Sequence, residues 1–329
     1  MRAASVDIGT NSVRLLVAES EEAGGRPLLR TLVRRMTITR LGQGVDREGS
    51  LDPEAEARTL RVLAEYRALI EAEGVQALDA VATSAVRDAR NAAPFLERAE
   101  EVLGIKPRVL SGEEEALLSF LGATHDLGGL GDSPGLVLVV DIGGGSTEVI
   151  MGREGRVLAA RSLNVGCVRM AERFLLSDPP HPTELALMEE YLRGEMGLLV
   201  REWGSPRPDL AVGLAGTVTT LAGIRLGLSE YDGDAIHHTW LDRSGVEEEY
   251  RRLASLPLEE RKDYMRLERD RADVIVGGCA VLEAVMQGFA LDRLLVSEKD
   301  ILDGLVLRLA ERKDFPGWRG GGQGTDYGL

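Results

Sequence analysis

The stretch "DIGGGSTEVI", residues 141–150, follows directly on the apolar run "LVLVV" at 136–140. Glycine weakens a strand interior, because it packs nothing and loses the most backbone entropy on ordering. Three glycines in a row therefore predict a turn whose N–H groups come close to a ligand. Phosphate is the anion such turns suit. The pattern has an earlier echo: "VDIGTNSVRLLVAE" begins at Val6 and "VDIGGGSTEVIMGR" at Val140. Two Asp-Ile-Gly turns, each between apolar strands, predict a duplicated α/β fold with a ligand cleft between its halves.

The rest of the chain agrees with this frame. Its 329 residues suit two domains, at roughly 100–200 residues each. With 44% hydrophobic and 28% charged residues it has an ordinary globular composition. No apolar run reaches the roughly 18 residues of a membrane span, and the opening "MRAASVDIGT" shows no signal-peptide pattern. Cys167 and Cys279 are the only cysteines, which argues against a disulfide framework or a cysteine zinc site. These features predict a cytoplasmic protein that does not enter the membrane. A net charge of −15 argues against nucleic-acid binding, which needs a basic footprint. It still permits a polyanionic substrate in a locally positive groove. Nearly all the positive charge is arginine, which suits bidentate phosphate contacts.

Helix and strand signals alternate along the chain. Residues 51–74 predict a helix capped by Asp52, with Pro53 in its first turn and Leu60, Leu63, Tyr66 and Ile70 on one face. "ALDAVATSA" and "KPRVLSG" predict strands, "EEEALLSFLGATHDL" a helix, and "DLGGLGDSPG" a loop before the second half. Thr183 opens a helix to about Trp203, "LAVGLAGTVTTLAGI" reads as strand, turn and helix, and "DILDGLVLRLAERK" as a closing helix. The expected domains are 1–125 plus 300–315, and 126–299. The Gly-rich tail at 316–329 is expected to be disordered.

Seven segments together carry a family likeness: "DIGTNSVRLLV" (7–17), "ATSAVRDARN" (82–91), "LSGEEEA" (110–116), "DIGGGSTE" (141–148), "GCVRM" (166–170), "GLAGTVTTLA" (213–222) and "RADVIVGG" (271–278). The chain resembles the exopolyphosphatase / guanosine-pentaphosphate phosphohydrolase (Ppx/GppA) family, within the actin-like, Hsp70-like and sugar-kinase-like superfamily. The likeness runs from about Ala3 to about Arg312. It implies two ribonuclease-H-like (actin-like) α/β domains around a cleft. It also implies removal of terminal phosphate from inorganic polyphosphate or guanosine pentaphosphate, with Mg²⁺ as cofactor and Mn²⁺ as an alternative. A homodimer is a further expectation.

Under this resemblance the residues take physical roles. Gly143, Gly144, Gly145, Ser146 and Thr147 would offer N–H and hydroxyl donors to phosphate, as would Gly9, Thr10, Asn11 and Ser12 from the first half. Asp141 and Asp7 end strands at these turns. Each would either ligate Mg²⁺ or accept N–H bonds from its own turn. Glu115 is the expected catalytic base, although acids also enrich the first turn of a helix for dipole reasons. Glu148 is the second carboxylate, holding metal or water opposite it. Arg87 would neutralise charge on the transferred phosphoryl group. Gly216 and Thr217 form a further candidate anion turn. Arg271, Glu114 and Asn91 are weaker candidates, and Asn91 alternatively caps the next helix.

Two departures bear on specificity. Where the family often shows Ser-Asp-x-Gly-x-Arg-Glu-Gly, this chain reads Ser297-Glu298-Lys299-Asp300-Ile301-Leu302-Asp303-Gly304. The chain also has no room for the C-terminal helical region of longer members. His237 and His238 are expected to point apart on an extended segment, which argues against a shared metal. Two rivals remain at this level: an ATP-dependent kinase of the same superfamily, and a non-catalytic sensor of guanosine polyphosphates or polyphosphate.

Overall fold

A computed structural model describes residues 1–23, 26–130 and 135–311. The expected tail lies outside them, as do residues 131–134 of the expected loop. The first sheet contains β1 (Arg2–Ile8), β2 (Ser12–Ala23), β3 (Arg26–Ile38), β4 (Ala77–Ala82) and β5 (Arg108–Val109), in the order β3-β2-β1-β4-β5. The second contains β6 (Leu136–Ile142), β7 (Thr147–Arg153), β8 (Arg156–Leu163), β9 (Leu210–Leu214), β10 (Trp240–Asp242) and β11 (Arg293–Val296), in the order β10-β11-β9-β6-β7-β8. In each sheet three strands form an antiparallel meander, and the next strand joins parallel to the first of them. Read from β8, the second sheet repeats the first and adds one edge strand. The sequence echo is thus a structural duplication.

The first strand of each meander is buried almost throughout, from Ala3 to Ile8 and from Val137 to Ile142. Helices cover both faces of these strands, so they read as continuous apolar runs. Register fixes what faces what at the turns. Asp7 lies opposite Arg14, and Asp141 lies opposite Glu148. Directly opposed residues of an antiparallel pair share a face.

The Pro53–Ala72 helix begins as expected: the Asp52 side chain accepts from the N–H groups of Glu54 and Ala55, and Pro53 follows it. Its Leu63, Tyr66 and Ile70 enter the first core with Val6 and Ile8. Pro182–Glu202 and Ile275–Gly288 bury Met188, Leu192, Val276 and Leu282 against the second sheet. "KPRVLSG" pairs only at Arg108–Val109. It is an edge strand beside Val81 and Ala82, and Leu110 turns into the core before Ser111 caps a helix.

Two helices lie between the sheets. Gly112–Thr124 places Ala116, Phe120 and Ala123 against Val137, Val139 and Ile150 of the second sheet. Its Leu118 packs with Val81 of the first sheet and with Ile301 and Leu305 of the Ile301–Glu311 helix. At Gly304 a Cβ would collide with the Leu118 carbonyl, so only glycine permits this approach. The helix that opens with "GEEEA" is therefore held from both sides, and its N-terminus is delivered to the cleft. No helix among the described residues is long and apolar enough to cross a membrane.

Candidate active site

Both turns close in the same way. Gly9 N–H donates to the Ser12 carbonyl at 3.0 Å, and Gly143 N–H to that of Ser146 at 3.0 Å. The turns press together: a Cβ on Gly144 would sit 3.0 Å from Thr10 Cβ and 3.1 Å from the Asn11 nitrogen. Between them lies a cavity of about 70 Å³. The first turn contributes Asp7, Gly9, Thr10, Asn11 and Ser12, and the second Asp141, Gly143, Gly144 and Ser146. Glu115, Gly216 and Arg271 complete the expected wall. Ala215 also faces it from a left-handed backbone conformation, φ 67°, which costs a non-glycine residue energy.

Three buried carboxylates line this space, a fourth stands behind it, and their partners differ. Asp7 Oδ2 accepts from Arg14 Nε at 2.9 Å and Nη2 at 2.6 Å. Arg14 Nη1 also donates to Asp300 Oδ2 at 2.5 Å. Asp141 has no such cation bonded to it. Ser119 Oγ donates to its Oδ2 at 2.6 Å, and burial pushes its carboxyl up to about 6 against the pull of Arg14 and that hydroxyl. Glu148 likewise accepts from the Ser162 hydroxyl at 2.7 Å. Burial first, and the nearby Asp141 charge second, push it up to about 8. Glu115 pairs with Arg87 Nη1 at 3.2 Å. Burial and the Glu148 charge nevertheless outweigh Arg87 and hold Glu115 well above the usual carboxylate range.

The donor set suits a hard cation. Asp141 and Glu148 are satisfied by hydroxyls alone, and Asp7 Oδ1 is buried with no hydrogen-bond partner. These carboxylates do not form a preassembled cage. Among the described residues, only Asp126, His237 and His238 bring three ligand atoms within 4.8 Å of one another. Mg²⁺ fits a dispersed set, since it keeps several waters and takes one or two carboxylates plus phosphate oxygens.

Several expected residues stand elsewhere. Thr147 Oγ donates to the Val165 carbonyl at 2.5 Å and faces away from the cavity. Gly145 is packed against Ser84 and Thr10, and its carbonyl accepts from Arg169 Nε at 2.8 Å. Thr217 is buried against Gly278. Glu148 and Arg87 stand behind the wall rather than in it, Arg87 reaching the site through Glu115. Glu114 is a capping residue: its carboxylate accepts from Ser111 N–H at 2.7 Å, while Ser111 Oγ accepts from Glu114 N–H at 3.2 Å. Asn91 stands at the N-cap position of the Ala92–Leu103 helix without a side-chain cap bond, and it does not line the cavity. Its side chain brackets Leu51, accepting from the N–H at 2.7 Å and donating to the carbonyl at 3.0 Å.

The histidine expectation is corrected. Gly233–Ile236 forms a helical turn and His238 takes φ 64°, so the two rings stack with centroids 3.7 Å apart. His237 Nδ1 accepts from Glu298 N–H at 3.1 Å, and its Nε2 meets Asp126 Oδ2 at 2.9 Å. A neutral ring that accepts at Nδ1 carries its proton on Nε2. The cluster is then a hydrogen-bonded clasp between Asp126 and the 297–300 turn. In that turn the departures find partners: Asp300 pairs with Arg14, and Asp303 with Arg34.

Reading the sequence missed Arg14, Ser119 and Ser162. Arg14 could have been found by pairing "VDIG" with "SVRLL" across the turn. Ser119 stands one helical turn beyond Glu115, on the same face.

Two sheets of repeated topology, two opposed phosphate-type turns and a carboxylate cluster between them define a two-lobed phosphate-handling protein. The chain belongs to the Ppx/GppA phosphatase family, whose profile matches residues 16–313. It is 40% identical over 318 residues to exopolyphosphatase 2 of Mycobacterium tuberculosis, covering 94% of this chain and 98% of that one. It is 30% identical over 310 residues to a guanosine-5′-triphosphate,3′-diphosphate pyrophosphatase of Vibrio parahaemolyticus, covering 94% of this chain and 59% of that one. Among solved structures, the Ppx/GppA family member of Aquifex aeolicus matches with a TM-score of 0.79 at 34% identity, covering 95% of this chain and 98% of that one.

Proposed function

We propose that the protein is an exophosphatase that hydrolyses the terminal phosphoanhydride bond of polyphosphate or guanosine pentaphosphate. One observation carries this reading. Glu115, buried at a helix start and paired with Arg87, faces a cavity walled by two phosphate-type turns. Family membership and the names of the relatives support the substrate class. The division into domains 1–125 plus 300–315 and 126–299 is part of the same reading, with substrate between them.

The backbone N–H groups of Thr10, Asn11 and Ser12 and of Gly144 and Ser146 hold the terminal phosphate oxygens, while those of Gly9 and Gly143 close the two turns. Arg271 and the N-terminus of the Ala215–Leu226 helix add positive potential from a third side. Glu115 takes the proton from an attacking water, and burial with the Glu148 charge makes it a stronger base than an ordinary carboxylate. Water oxygen bonds to the terminal phosphorus as the bridging P–O bond breaks. Orthophosphate and a chain shorter by one phosphate result. Arg87 orients Glu115 and offsets charge in the transition state. Asp141 and Glu148 would hold Mg²⁺ or Mn²⁺, with the unpartnered Asp7 Oδ1 as a lesser contributor. The ion, when bound, offsets phosphate charge.

Phosphate release from long polyphosphate, short polyphosphate and guanosine pentaphosphate tests this, with ATP plus sugars alongside. Release from one of the first three, lowered about 10²–10⁴-fold by Glu115→Gln, is expected. Sugar-dependent ADP formation instead would point to a kinase. Tight binding with no release would point to a sensor.

A further inference from the structure

The "GCVRM" segment has no role in the chemistry above, yet its arginine makes the most connected contact across the cleft. Arg169 lies on the Cys167–Phe174 helix, which packs with the second sheet's layer. Its Nε donates to the Gly145 carbonyl at 2.8 Å. Its Nη2 meets Asp88 Oδ2 at 2.7 Å, and its Nη1 pairs with Asp46. Asp46 and Asp88 belong to the Val45–Glu48 and Ser84–Asp88 helices, in the first half of the duplication. One guanidinium thus ties the second phosphate turn to the element that carries Arg87. One turn along the same helix, the Glu172 carboxylate accepts from Gly44 N–H at 3.1 Å.

These contacts have a consequence for access. With the turns touching at Gly144 and Thr10, the cavity between them is about 70 Å³, and it adjoins one of about 320 Å³ that shares Arg14, Ala215, Gly216 and Arg271 with it. Parting the turns widens this space for a phosphate chain, and it breaks the Arg169 bonds to Asp46 and Asp88. Closure restores both of these charge-assisted bonds and that of Glu172 to Gly44, while the Arg169–Gly145 bond stays within one half.

We propose that Arg169 is a positioning residue, the latch that draws the Gly143–Ser146 turn onto the Arg87 element when the cleft closes. Arg169 does not touch the reacting atoms in this account. Its kinetic consequence rests on the phosphohydrolase reading, while its structural consequence does not.

The test separates the two. Spin labels are placed through Glu71→Cys and Glu202→Cys, exposed positions on opposite halves. The native cysteines are buried. The distance between labels is measured in the full chain with Arg169, Arg169→Met, Arg169→Lys and the pair Asp46→Asn/Asp88→Asn. The expected result is a longer or broader distance in Arg169→Met and in the aspartate pair, with partial recovery in Arg169→Lys. In phosphate release, kcat/KM falls about 10- to 100-fold in Arg169→Met. Adding Asp88→Asn to Arg169→Met costs little more, because both break one contact. Should Arg169→Met fail to fold, the aspartate pair opens the same latch from the other side. Unchanged distances in the folded variants would overturn the latch, whatever the chain hydrolyses. Additive losses from Arg169→Met and Asp88→Asn would overturn it as well. The expected distance changes in the variants, together with a wild-type chain that releases no phosphate, would instead count against the phosphohydrolase reading alone.

Discussion

The two phosphate turns share topology and an Asp-Ile-Gly start, and they differ in charge at one register position. Opposite Asp7 stands Arg14, whereas opposite Asp141 stands Glu148. The first turn neutralises its own aspartate through two Arg14 bonds. The second places two carboxylates together with only Ser119 and Ser162 hydroxyls to hold them. Burial penalises both charges, and the carboxyls rise to about 6 and about 8. A duplicated scaffold has thus become asymmetric: one copy carries its own guanidinium, although burial still holds Asp7 above its ordinary value, and the other has hydroxyls alone. In the proposed function phosphate positioning is shared between the copies, but charge compensation is not.

The sharpest way to break this contrast is to make the second turn resemble the first. Glu148→Arg should pair with Asp141 as Arg14 pairs with Asp7. Phosphate release should fall by about 10³-fold or more, and added Mg²⁺ should no longer stimulate it. The reverse change attacks the first turn. Arg14→Met leaves Asp7 and Asp300 buried without their cation, and should destabilise the fold by about 3–5 kcal/mol in urea melts.

The raised carboxyls give a pH dependence with a definite sign. Between the ordinary carboxylate range near pH 4 and the folded-state values of about 6 for Asp141 and about 8 for Glu148, the folded chain holds more protons than the unfolded one. Metal-free stability should therefore fall as pH rises through that window. Thermal melts in chelator should show a lower Tm at pH 8 than at pH 5.5. Mg²⁺ should raise Tm more at pH 8, where the ion replaces the missing protons. The smallest expected effect is at Ser119. Ser119→Ala removes the hydroxyl that orients Asp141 and should weaken Mn²⁺ binding about tenfold, measured by titration, without unfolding the chain.

Much of this was legible in the sequence, because glycine turns and apolar strands are local signals. "DIGT" and "DIGG" gave away the duplication, and Asp52-Pro53 the start of the long helix. Glu115 was visible only through the family likeness, since three acids after Ser111 also make an ordinary helix start. One of them, Glu114, does serve as the cap. Contacts between distant segments were not legible. Nothing local shows that Asp300 meets Arg14, that Ser162 holds Glu148, or that Arg169 spans the cleft. Thr147 was misassigned because its hydroxyl follows the pleat to Val165 rather than the turn to the cavity. The histidine pair was misjudged because strand alternation was applied to residues that lie in a turn.

The central claim is that the carboxylates of the second turn hold the metal, with Asp7 of the first a lesser contributor. Mn²⁺ titration followed by electron paramagnetic resonance tests it most directly, on the wild type, Asp141→Asn, Glu148→Gln and Asp7→Asn. Asparagine at position 7 keeps an oxygen where Asp7 Oδ1 lies unpartnered. The account predicts affinity lower by about tenfold or more in the Asp141 and Glu148 variants, and within about threefold of wild type in Asp7→Asn. Equal losses at Asp7 and Asp141, or wild-type affinity in Asp141→Asn, would contradict it.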